Sequence, residues 1–188
     1  TADQVTYWQS GRRKAWVYEL LASLEQSSLL VRHKALQPHI FALTRKGYRL
    51  AGAKAPAGSR VESWSVLSHR CHRNAAEIRL REHYPTFMFS LRLDLYRYGV
   101  NPGHGEHFGV ADDLRVFVLL DDYFFEPSRI SHAWNRTHIP SRRHFDRSNR
   151  VHKWSELASK YVVAVTDPGQ YEEHKNYIAK PDLKEDAT

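Results

Sequence analysis

The chain has one cysteine among its 188 residues. That excludes an internal disulfide framework and a Cys-x-x-Cys zinc knuckle, and it suits a reducing compartment, so a cytoplasmic setting is expected. Long apolar runs are also missing. None approaches the roughly 20 residues a membrane-spanning helix needs, and no membrane partner is expected. No signal peptide and no internal repeat are visible. Thr1 follows no methionine, so the N-terminus is expected to be trimmed. Acids are the minority charge: 21 Asp and Glu stand against 28 Lys and Arg, for a net charge of +7 with the 12 His uncounted. A basic chain of this kind attracts polyanions, nucleic acid above all. With 41% apolar residues, a packed core is within reach, as one large domain or two small ones.

The stretch from Arg12 to Gly47 carries most of the information. Trp16, Val17, Leu20, Leu21 and Leu24 recur every three or four residues and share one helical face. Arg12, Arg13 and Lys14 crowd the start of that helix, against its macrodipole, which a polyanionic partner would explain. A strand follows over residues 29–34, then a turn at Gln37-Pro38-His39 and a second strand over residues 40–43. Thr44 is placed to cap a further helix with Gly47 in its first turn. Ahead of all this, residues 1–9 suit one short helix using Val5 and Trp8, and Ser10-Gly11 a turn.

Helix, hairpin, helix, with Leu-x-x-Leu, then Leu-Val-Arg, then Leu-Thr-x-Lys-Gly, resembles the end of a winged-helix DNA-binding domain of bacterial regulators. The resemblance covers residues 1–57, and a winged helix normally begins with an additional helix or two. It implies a recognition helix at residues 12–25 and a wing at residues 31–43. Arg12, Arg13, Lys14 and Tyr18 would then face the major groove, and Arg32, His33, Lys34 and His39 would meet phosphates or the minor groove. The bland alternative is a solvated basic face on an ordinary small domain.

Ala53 to Gly58 has linker composition, which places a domain boundary there. A long helix is expected from Ser63 to just before Pro85, with an apolar stripe through Leu67, Cys71, Ala75 and Ile78 and a charged one through Arg70, Arg73, Glu77 and Arg81. Residues 87–97 alternate as a half-buried strand, residues 99–109 read as a loop, and residues 114–120 as a second strand. Asp121-Asp122 reads as a hairpin turn into a third strand over residues 123–126. A loop or short irregular helix is expected across residues 129–153, then a helix over 154–159, a strand over 161–166, a helix over 168–179 and a mobile polar tail over 181–188.

This order, over residues 63–180, is similar to the core of restriction-endonuclease-like nucleases. Plasmid replication-relaxation and mobilisation proteins join a winged helix to such a core. The expected fold is therefore α+β: a truncated winged helix, then an α/β core with a mixed sheet. In the nuclease family an Asp opens the second core strand and Glu-x-Lys lies on the third, holding Mg²⁺. The resemblance would give Asp113 and Glu126 the metal and catalysis, with Glu77 assisting. Here the sequence departs: no Pro-Asp pair precedes the strand, and Pro127, not a lysine motif, follows Glu126. Turn solvation for Asp113 and Glu126, and an i±4 salt bridge from Glu77 to Arg73 or Arg81, explain these residues more simply. Zinc through His69, Cys71 and His72 lacks a full ligand set. A relaxase site built on His104, His107 and Tyr96 or Tyr98 lacks a compact histidine triad.

Residues 129–153 combine Arg136, Arg142, Arg143, Arg147 and Arg150 with Trp134 and Phe145, a pattern suited to tracking a phosphate backbone. Together the readings point to a double-stranded DNA-binding protein of a bacterial mobile element, acting in plasmid mobilisation, replication control or transcription regulation. It would need no cofactor, or Mg²⁺ if catalytic. A Mg²⁺-dependent nickase and a relaxosome adaptor that binds other relaxosome or replication proteins are the alternatives. A homodimer is compatible with a winged helix, although no dimer seam is legible.

Overall fold

A computed structural model of the chain describes residues 1–9, 12–34, 39–53, 64–90, 95, 99–122, 124–137 and 153–179. The class is α+β. The chain divides into two compact units, Thr1–Ile78 and Arg79–Thr188, and the division falls within one helix. No helix among the described residues is long and apolar enough to cross a membrane.

The first unit opens with α1 (Ala2–Trp8), started by a capping box in which the Thr1 side chain accepts from the Gln4 backbone and Gln4 reaches back. The amphipathic helix α2 (Lys14–Gln26) follows and buries Val17 and Leu21. Strands β1 (Leu30–His33) and β2 (Ile40–Leu43) pair antiparallel, with Arg32 opposite Phe41 and His33 opposite Ile40. The expected hairpin therefore forms; its connecting residues 35–38 lie outside the described set. Ala2, Val17 and Leu21 form a small core against which Val5, Leu30 and Phe41 pack. Helix α3 (Arg45–Leu50) starts as the sequence predicts: Thr44 Oγ1 accepts from Gly47 N at 3.1 Å and donates to Ser28 O at 2.7 Å. Gly47 is required there, because a Cβ would run into the Leu29 carbonyl.

Helix α4 (Trp64–His83) matches the expected long helix. Its buried positions include Leu67, Ala76 and Leu80, whereas Ala75 is exposed, so the apolar stripe is shifted by one residue in its second half. Gln4 Nε2 donates to the Cys71 carbonyl at 2.8 Å, tying α1 to α4 within the first unit.

The second unit is built on a four-stranded mixed sheet in the order β3-β4-β5-β6, with β3 (Met88–Phe89), β4 (Glu106–Ala111), β5 (Leu114–Asp121) and β6 (Lys160–Val165). β3, β4 and β5 are antiparallel neighbours, and β6 joins β5 in parallel. Between β5 and β6 lie α5 (Arg129–Asn135) and α6 (Trp154–Leu157); α7 (Pro168–Ile178) ends the described chain. Val116, Phe117, Val118 and Leu119 are all fully buried, so β5 is covered on both faces, as a central strand should be. Phe117 and Leu119 join Phe108, Ile130, Trp154 and Leu157 in the main core. Phe117 stacks on Trp154 with ring centroids 4.5 Å apart.

Three strand expectations need correction. Residues 106–109, the end of the expected loop, belong to β4 (Glu106–Ala111). Gly109 is there because Phe87 and the Met88 carbonyl occupy the space a Cβ would take, so the glycine signals close packing and not a turn. The Asp-Asp hairpin turn is Asp112-Asp113, with Asp112 at φ 49°, and Asp121 is the last residue of β5. Residues 124–126 are not strand. Of the long strand expected over residues 87–97, only Met88–Phe89 is strand; 91–94 and 96–98 lie outside the described residues. Residues 138–152 and the tail from 180 onward lie outside them as well.

Candidate nucleic-acid interface

The first unit presents the cations that the sequence singles out, and folding treats them unequally. Arg12 and Arg13 are exposed ahead of α2. Arg13 occupies the N-cap without a side-chain cap bond, and no acid lies in the first turn of α2. The Arg12 guanidinium sits 5.1 Å from the Trp16 ring centroid, on one flank of the helix. Lys14 is different. Its Nζ lies 2.6 Å from Asp3, and that hydrogen bond, reinforced by the charge, holds the ammonium above the usual lysine range. Tyr18, one turn on from Lys14, is half exposed.

In the hairpin, Arg32 is also committed. Its Nη2 meets Glu25 Oε2 at 2.6 Å and its Nε donates to the same oxygen at 2.9 Å. The Arg32 hydrogen bond, with the charges of Arg32, Lys34 and His39 behind it, holds the Glu25 carboxyl below the usual range. Arg32 also covers Phe41 at 5.9 Å. It therefore fastens the hairpin to α2, with its side chain 31% exposed. Lys34, just past β1, is exposed; His33 and His39 are half-buried. The outward-facing set is thus Arg12, Arg13, Tyr18 and Lys34.

Arg136, expected to contact phosphate, is also paired within the fold: its Nη2 lies 2.6 Å from Glu106 Oε2. Glu106 opens β4 and is 7% exposed, and the same oxygen accepts from Gly103 N at 2.9 Å and from Trp154 Nε1 at 3.1 Å. Arg142, Arg143, Arg147 and Arg150 lie outside the described residues.

The carboxylates expected to hold a metal do not converge. Asp113 is exposed in the β4–β5 turn, Glu126 is exposed beyond the far end of β5, and the eight residues of β5 lie between them. At about 3.3 Å per residue, that separation is far beyond the reach of one cation. Glu77 lies on α4 in the first unit, where its charge supports Arg73, whose guanidinium burial pulls down. Burial raises the Cys71 thiol, which speaks against a ready thiolate for zinc. Tyr96 and Tyr98 lie outside the described residues, and His107 packs against Phe89 at 5.4 Å.

Sequence reasoning missed a buried polar group at the other end of β5. Asp121 is fully buried; its Oδ2 accepts from Gln170 Nε2 at 2.7 Å and meets His174 Nε2 at 2.8 Å, and its Oδ1 accepts from Phe125 N at 3.1 Å. The available signal was the i, i+4 spacing of Gln170 and His174 on one helix face, opposite an acid ending an apolar strand. Comparison of the chain with protein-family models, with curated proteins and with solved structures finds no match.

Proposed function

We propose that the chain binds double-stranded DNA, with α2 in the major groove and the β1–β2 hairpin set against the backbone, in the manner of a winged helix. One observation carries this reading. Arg12 and Arg13 are exposed at the N-terminal end of a helix that leads into an antiparallel hairpin and a capped third helix. Residues near the start of such a helix reach base edges, while cations on the hairpin reach phosphates. Two uncompensated cations at a helix N-terminus work against its dipole, and phosphates would relieve that opposition. Lys34 extends the cationic surface to the hairpin, and Arg142, Arg143, Arg147 and Arg150 would add backbone contacts.

The order of the second unit, three antiparallel strands and then a parallel one reached through helices, supports a nuclease-like core that serves as scaffold. A bacterial mobile element is the setting implied by that pair of likenesses. The carboxylates expected for the nickase alternative do not support it, since Asp113 precedes β5 and Glu126 lies beyond its far end. The test is a gel shift on duplexes selected from a random pool. Arg12→Ala with Arg13→Ala should weaken specific binding roughly a hundredfold, with an unchanged circular dichroism spectrum. Equal affinity in the double mutant would remove the proposal.

A further inference from the structure

Arg12 and Arg13 are neighbours in sequence, yet the fold uses them differently. Arg12 N donates to the Gln9 carbonyl at 3.0 Å, which fixes its backbone where the chain enters α2. Its side chain runs forward to Trp16 in the first turn of the helix, where the guanidinium lies 5.1 Å from the ring centroid. Arg13 is the N-cap and makes no side-chain cap bond.

Trp16 is not spent on the small core of the first unit, which is built from Ala2, Val17 and Leu21 with Val5, Leu30 and Phe41 against it. Val17 and Leu21 mark the buried side of α2, whereas Ala15 and Trp16 are exposed, Trp16 by 37%. The stacked guanidinium therefore lies on an outward flank of the helix. A ring beneath a guanidinium holds its plane and leaves the N–H donors at its edge free for a ligand. Those donors have no partner among the described residues. A planar fork of donors matches O6 and N7 of guanine, two acceptors side by side in the major groove. A side chain already held in place also loses less freedom on binding than one that swings free.

We propose that Trp16 is a positioning residue that holds Arg12 to read one guanine, so the duplex taken by this site carries guanine at one fixed position. The inference rests on the DNA-binding reading above. Arg13 is left to meet phosphate. A guanidinium in the groove still lies among phosphates, so Arg12 contributes to the salt dependence as well.

The test uses the full chain. Wild type and variants select duplexes from a random pool, and affinities are then measured for the selected site with guanine or adenine at each position. For wild type, adenine at one position should weaken binding roughly tenfold or more. Trp16→Leu keeps every charge, so its salt slope and its affinity for unrelated duplex should match wild type. Its preference for guanine at that position should fall below about threefold. Trp16→Phe, which keeps an aromatic face, should retain most of the preference. Arg12→Ala, ahead of the helix, should lose the preference without touching the packing of α2. Binding with no guanine preference, a preference that survives Trp16→Leu or Arg12→Ala, or its loss in Trp16→Phe would overturn the inference and leave DNA binding standing. Failure to bind any duplex would overturn both.

Discussion

Glu106 shows what a buried acid needs in order to be tolerated. One oxygen takes a backbone amide, an indole N–H and a guanidinium, so the desolvated charge is met by a charge and by three donors. Arg136 is about a third exposed, so this pair is less demanding than one wholly removed from water. Glu106→Gln would present an amide to three donors and leave Arg136 without its counter-charge. We expect a loss of about 3 kcal/mol, the lower end for removing one partner of a buried pair. The midpoint of urea unfolding checks it, and an unshifted midpoint would mean that these bonds do not hold the unit together. Residues of this kind are where the sequence was least legible. Lys14, Arg32 and Arg136 look free when read along the chain. Each is taken by an acid at a distance, Asp3, Glu25 and Glu106, that no local pattern discloses. Arg12 and Arg13, by contrast, are exposed as the sequence reads, with no acid in the first turn of α2.

At the level of elements, periodicity served well wherever a face is uniformly apolar. Helix α2, both hairpin strands, α4, β5 and β6 fall within a few residues of expectation for that reason; α7 does as well, although the residues it buries are Gln170 and His174. Strand β4 did not, because Glu106, His107 and Gly109 interrupt its alternation, and their reasons lie in other elements. The two Asp-Asp pairs were indistinguishable as text; what separates them is that Asp121 finds donors on α7. The α3 junction makes a sharper forecast. Gly47→Ala would push a methyl into the Leu29 carbonyl, which is backbone and cannot swing aside. A cost of about 2 kcal/mol is expected for such overpacking, read as faster amide exchange in α3 and in the β1–β2 ladder. Unchanged protection there would show that the junction can yield.

For the molecule as a whole, the number of phosphates its cations neutralise governs how a DNA contact responds to ions. If Arg12, Arg13 and Lys34 each neutralise one phosphate, the slope of log affinity against log salt should be about −2.7 from these three alone, and steeper with any further contact. The Arg12→Ala, Arg13→Ala variant should be shallower by about 1.8. Parallel slopes for the two proteins would place the phosphate contacts elsewhere.

The parallel pairing of β5 with β6 has a consequence for the birth of the chain. Val116 lies opposite Lys160, so the central strand cannot gain its last neighbour until the polypeptide is synthesised well past that lysine. The first unit, by contrast, draws its hairpin and small core from neighbours close in sequence and can form while the rest is still on the ribosome. Until β6 arrives, β5 offers an uncovered apolar edge to any other nascent chain. The interval between those two moments, set by the rate of translation through the arginine-rich crossover, is when this protein is most exposed to aggregation and in most need of a chaperone.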